Sequence, residues 1–141
     1  LASNSECNIY RDFAHAPSKV IATIEAVKQQ FPARKLIGVL ELHTYSSLNK
    51  EFMHQYKGAL EKTDIAVVFY SKHALQIKGL PELPESYVLE GFDKNGLLVM
   101  TDKNALEQWL RAQDYSNSNL VLMSSGNYDG IDLPSFAPTL I

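Results

Sequence analysis

Asp12 and His15, with Pro17 and Ser18 close behind, bring a carboxylate, an imidazole and a hydroxyl together in the run D-F-A-H-A-P-S. Pro17 suits the first position of a helix, which makes Ala16 the residue that should cap it. Alanine has no side-chain oxygen, so the first backbone N–H groups of that helix lack a local acceptor and are open to a phosphate or carboxylate. A hydrogen-bond-donating His15 suits the same anion, Ser18 adds a hydroxyl, and Asp12 suits sugar hydroxyls or an ammonium. The same spacing also fits a plain polar turn in which Asp12 caps and His15 packs.

Two more clusters carry usable chemistry. Glu41, His43, Thr44, Ser46 and Ser47 crowd into one stretch, followed by Asn49 and Lys50. Glu41 could meet an ammonium and Lys50 a carboxylate; alternatively, Asn49 and Lys50 only solvate the start of a helix. Near the other end, Ser125, Gly126, Asn127, Tyr128 and Gly130 form a glycine-punctuated run. It suits a backbone that turns tightly or approaches a ligand, and it also reads as a turn and nothing more. His54 reads as solvated, and Met100 and Trp109 as core.

These clusters need elements to hold them. Apolar, β-branched runs at Ile9 to Phe13, Leu36 to Leu40, Ile65 to Tyr70, Leu97 to Met100 and Leu120 to Met123 read as strands. Between them, Val20, Ile24, Val27 and Phe31 form a helical stripe that Pro32 ends. A second helix should present Leu48, Phe52, Tyr56, Ala59 and Leu60, and a later one over Asp102 to Ala112 should pack Leu106, Trp109 and Leu110. Lys72 to Phe92 has no clean period, with a Pro81 to Pro84 interruption and one short helix around Glu85 to Glu90. Such alternation specifies an α/β, Rossmann-like, three-layer fold with a mainly parallel sheet and helices on both faces. Ligands in such sheets bind beyond the carboxyl ends of the strands, where all three clusters fall.

Bulk composition narrows the function classes. The 141 residues are 45% hydrophobic and 21% charged, which suits one globular domain with a real core. The net charge of −3 has no basic block to follow a phosphate backbone, so nucleic acid is a poor partner. Cys7 is the only cysteine, which excludes an intrachain disulfide and suits a reducing, cytoplasmic setting. No apolar run approaches the roughly 20 residues needed for membrane insertion as a helix. A chain that starts at Leu1, with a strand pattern so early, suits a piece cut at a domain boundary.

The segments D-F-A-H-A-P-S-K-V, F-P-A-R-K-L-I-G-V-L, E-L-H-T-Y-S-S-L-N-K and M-S-S-G-N-Y-D-G-I-D together resemble the C-terminal domain of the Mur ligases, whose motif here is Asp-(Tyr/Phe)-(Ala/Gly)-His-x-Pro. The resemblance implies that residues 1–141 are the third domain of an enzyme whose UDP-sugar and ATPase domains lie elsewhere; the phosphate loop G-x-x-x-x-G-K-(S/T) is absent from this sequence. It further implies ATP and Mg²⁺ as cofactors, held mainly by the central domain, with UDP-N-acetylmuramic acid and an incoming amine as substrates. ATP would activate the muramyl carboxylate, and this domain would position the amine for attack. Asp12 and His15 would touch nucleotide or substrate; the isolated domain would be inactive. The alanine-adding branch resembles Pro-His-Arg-(Tyr/Phe)-Thr-Arg in the second cluster, where two guanidinium groups hold the alanine carboxylate. Thr44 and Ser47 stand at those positions here and cannot form such a clamp. The recycling branch, which attaches the tripeptide L-Ala-γ-D-Glu-meso-diaminopimelate, is the nearer resemblance. It implies peptide contacts by Glu41, His43, Thr44, Ser46, Ser47, Asn49 and Lys50.

Three rivals differ in class. A zinc hydrolase would need His15, His43 and His73 to converge from three strand ends, without any ligand pair at fixed spacing. A serine hydrolase lacks its nucleophile elbow in S-S-G-N. A non-catalytic binding module is permitted by fold alone.

Overall fold

The computed structural model describes all 141 residues. Six strands form one sheet in the order β1-β2-β6-β3-β4-β5. β1 (Ala2–Ser3) runs antiparallel to β2 (Cys7–Asp12). β6 (Ser118–Met123), β3 (Lys35–Glu41), β4 (Ile65–Phe69) and β5 (Leu98–Met100) continue parallel from β2. All residues of β6 are buried, as are six of the seven in β3. Strands covered on both faces are apolar along their middles, which is why Leu36 to Leu40 and Leu120 to Met123 read as unbroken runs rather than alternating ones.

The period of two survives as a division between two cores. Leu36, Leu40, Val68, Val121 and Met123 pack on one face with Val20 and Ile24 of α1 (Pro17–Gln30) and with Val88 and Phe92 of α3 (Glu85–Phe92). Ile37, Val39, Val67, Leu120 and Leu122 pack on the other with Leu106 and Leu110 of α4 (Lys103–Arg111) and Leu133 and Phe136 of α5 (Leu133–Phe136). The three-layer expectation is met. β6, last in sequence, sits between β2 and β3. Chain leaving β2 and β3 goes to the first face and chain leaving β6 to the second, the switch of direction beyond whose strand ends such sheets bind ligands.

The expected second helix is a correction. Lys50–Tyr56 is a 3-10 segment, with Phe52 N–H bonded to Asn49 O and Lys57 N–H to His54 O. The Asn49 side chain accepts the Glu51 N–H and tightens the first turn, and Gly58 at φ 78° closes the segment. Leu48, Tyr56, Ala59 and Leu60 are buried all the same. The apolar spacing had registered burial, and the pitch was set by local capping. The region without a clean period holds α2 (Lys72–Ile77), capped by Ser71 Oγ, as well as α3, which starts where the short helix was expected. No helix is long and apolar enough to cross a membrane.

α3 lies directly against the 3-10 segment, and Gly91 permits the approach. A Cβ there would stand 2.6 Å from the Met53 carbonyl oxygen, a backbone atom that cannot swing aside. Gly91→Ala should therefore destabilise the domain by about 1–3 kcal/mol. Denaturant unfolding of the two proteins checks this, and an unchanged midpoint would mean that the elements are less tightly packed.

Candidate functional site

The loop after β2 is built on Asp12. Its Oδ1 accepts the Ala14 N–H at 2.8 Å, the turn that the plain reading of this motif anticipates. His15 Nδ1 lies 2.9 Å from the Phe13 carbonyl oxygen. A carbonyl only accepts, so Nδ1 carries a proton, which selects the tautomer whose Nε2 is the acceptor. From below, the buried Tyr56 hydroxyl donates to His15 O at 2.5 Å. The α1 helix begins at Pro17 after Ala16, with no side-chain cap, and Ser18 is exposed in its first turn. The positive end of the helix dipole thus faces outward beside His15.

The loops after β3 and β6 are joined through Glu41, which is 2% exposed. Its Oε1 accepts the Ser124 hydroxyl at 2.5 Å and the Tyr128 N–H at 3.0 Å. Ser124 Oγ in turn accepts the Gly126 N–H at 2.7 Å, and the Ser124 N–H donates to Asp12 O at 3.0 Å. Arg11 Nη2 donates to Gly126 O at 3.2 Å. All three strand-end loops therefore share one hydrogen-bonded frame. Tyr128, Asp129 and Gly130 run through left-handed backbone at φ 55°, 60° and 91°. Only the glycine takes this without strain. Tyr128 is held there by its ring, buried against Phe69, and by a hydroxyl 2.8 Å from Met123 O and 2.9 Å from Val39 O. Burial, helped by the nearby Glu41 charge, pushes that phenol well above its ordinary pKa.

Three expectations need correction. Glu41 does not present an open carboxylate to a substrate ammonium, because it is an internal anchor with Oε1 already doubly engaged. Ser47 is buried, and it exchanges hydrogen bonds with Thr44: Thr44 N–H to Ser47 Oγ at 3.0 Å and Ser47 N–H to Thr44 Oγ1 at 3.1 Å. Those hydroxyls stabilise their own turn, which leaves Ser46 as the exposed hydroxyl of the three. Tyr128 is a core pin rather than a lining residue.

His43 is brought to the frame, with its ring seated on Gly126 where a Cβ would fall within 2.8 Å. Asn49 caps the 3-10 segment, and exposed Lys50 lies over the Tyr87 ring at 5.3 Å. His73 is exposed on α2, and no three His, Cys, Asp or Glu side chains gather as a metal-holding group. Sequence reading gave no site role to Arg11, Tyr56 or Ser124. Tyr56 was expected only as core and Ser124 only as the residue that opens the polar stretch after the last strand, whereas nothing local marked Arg11.

The seat of His43 is open to test. Gly126→Ala should leave the sheet intact and turn His43 away, moving its Hδ2 and Hε1 resonances while β-strand amides stay in place. Unmoved His43 signals would contradict the packing.

No protein-family model matches the chain. Two UDP-N-acetylmuramate--L-alanine ligases, from two strains of Lactobacillus delbrueckii subsp. bulgaricus, are each 46% identical to it over 55 residues. The match takes in 39% of this chain and 12% of each relative. Among solved structures, a domain from a putative UDP-N-acetylmuramate:L-alanyl-gamma-D-glutamyl-meso-diaminopimelate ligase of Haemophilus ducreyi matches with TM-score 0.62 and 23% identity. That match covers 96% of this chain and 93% of the other. A murein peptide ligase of Psychrobacter arcticus reaches TM-score 0.73 at 14% identity, over all of this chain and 29% of its own. A UDP-N-acetylmuramate-alanine ligase of Thermotoga maritima reaches 0.54 at 18%, over 86% and 24%. At these identities the structural likeness is one of fold. The chain therefore has the fold of the Mur ligase domains and resembles two of those enzymes in sequence over 55 residues.

Proposed function

We propose that the chain is the C-terminal, amine-substrate-binding domain of an ATP-dependent ligase. In this reading the parent enzyme joins L-Ala-γ-D-Glu-meso-diaminopimelate to UDP-N-acetylmuramic acid in cytoplasmic peptidoglycan recycling. The UDP-sugar and ATPase domains lie in the rest of that enzyme. One observation carries the choice of substrate: the loop after β3 has no guanidinium, and Thr44 and Ser47 there are satisfied by each other. A free amino acid offers little besides its charged ends, so selecting it calls for a close carboxylate clamp. A tripeptide spreads its binding over a longer surface, here past His15, His43, Ser46, Asn49 and Lys50.

ATP with Mg²⁺ supplies the activation of the muramyl carboxylate. The uncapped start of α1, with the exposed Ser18 in its first turn, fits one anionic edge of such a ligand. In this reading the nucleotide and its ion are held mainly by the central domain of the parent enzyme. What these residues contribute is position: the strand-end loops hold the amine in line, with Nε2 of His15 as an acceptor beside it.

A second reading, the alanine-adding ligase, is favoured by the name of the matched relatives. Supplying the parent enzyme with ATP, Mg²⁺, UDP-N-acetylmuramic acid and either amine separates the two. The tripeptide should show the higher kcat/KM, by on the order of a hundredfold. An equal or higher value for L-alanine would overturn the tripeptide assignment.

A further inference from the structure

Two adjoining hollows lie along the 3-10 segment, α2 and the start of α3, and the frame around Glu41 uses neither. One, of about 390 Å³, is bordered by Asn49, Lys50, Glu51 and Tyr87. The other, of about 300 Å³, is bordered by Lys72, Glu82 and Glu85 over a floor that includes the buried Leu75 and Leu83. Leu80 belongs to both and forms the divide. The wall of the second hollow is fixed, since the buried Tyr70 hydroxyl donates to Leu83 O at 2.5 Å.

The charges around the second hollow are not spent on each other. The ion pairs of the protein, Lys28 with Asp64 and Lys62 with Glu25, both lie elsewhere, and Lys72 stands beyond salt-bridge distance of Glu82 and Glu85. An apolar divide leading to separated charges of both signs matches a particular chemistry: an alkyl stem that ends in an amino-acid head, carrying one ammonium and one carboxylate. The trough begins at Lys50, the first residue of the 3-10 segment that follows the loop after β3.

We propose that the hollow between α2 and α3 is a subsite for the distal amino-acid head of diaminopimelate, with Lys72 meeting its carboxylate, Glu82 and Glu85 its ammonium, and Leu80 its stem. This assignment rests on the peptide-ligase reading above and adds the residues that would choose the third amino acid of the peptide. L-Lysine at that position would keep the stem and ammonium and lack the carboxylate, so Lys72 becomes the discriminating residue.

The test is an NMR titration of the 141-residue chain with L-Ala-γ-D-Glu-meso-diaminopimelate and with the same peptide ending in L-lysine. A separately solved domain of matching extent shows that this fold stands alone. The diaminopimelate peptide should shift the amides of Lys72, Leu80, Glu82 and Glu85 and bind about tenfold more tightly, a difference of ~1.4 kcal/mol. Lys72→Gln should abolish that difference, and Glu82→Gln with Glu85→Gln should weaken both peptides. Equal affinities, or shifts confined to the His15 and His43 loops with Lys72→Gln silent, would overturn the subsite and leave the proposed function standing. Failure of either peptide to bind would overturn both.

Discussion

A single buried carboxylate sets the shape of this domain at the carboxyl end of its sheet. Glu41 closes a strand that is apolar from Leu36 to Leu40, and a carboxylate in such a place is tolerated only when its oxygens are bonded. The Ser124 hydroxyl and the Tyr128 N–H supply those bonds, and they come from the loop after the neighbouring strand. Ser124 passes the constraint to the Gly126 N–H, and the bare Cα of Gly126 leaves room for the ring of His43. Loops distant in sequence thereby become one wall. Loss of one of these donors from such a buried carboxylate is expected to cost about 1.5–3 kcal/mol, more than an exposed ion pair contributes.

Around that wall the protein pins its loops with tyrosine hydroxyls. Tyr56 holds the His15 carbonyl, Tyr70 the Leu83 carbonyl and Tyr128 the end of β6. Burial pushes the Tyr56 and Tyr70 phenols up to about 12, with Glu85 and Glu82 adding to the effect at Tyr70. They therefore stay protonated donors throughout the neutral range. The site is a set of surface loops whose backbones are fixed from beneath, the arrangement that gives a binding crevice its precision.

Much of this was legible in the sequence because strands buried on both faces are apolar along their middles, and the strand-end positions then stand out as polar. The uncapped helix after His15 followed from Ala16 and Pro17 alone. What stayed hidden depended on contacts across the fold. Glu41 reads as a ligand until Ser124, eighty-three positions away, is known to lie beside it. Thr44 and Ser47 read as two free hydroxyls until their turn closes on itself. The 3-10 pitch of Lys50–Tyr56 was concealed because burial imposes the same apolar spacing on either helix. The hollow between α2 and α3 falls in the segment where prolines erase periodicity, so only the folded chain reveals it.

Amide hydrogen exchange tests the anchoring role of Glu41 most directly. In the intact domain the Gly126 and Tyr128 N–H groups should exchange slowly for loop positions, because Ser124 Oγ and Glu41 Oε1 hold them. In Glu41→Ala both should accelerate strongly while the amides of β3 and β6 keep their protection. Fast exchange at Gly126 and Tyr128 in the unsubstituted protein, or rates untouched by the substitution, would contradict the account.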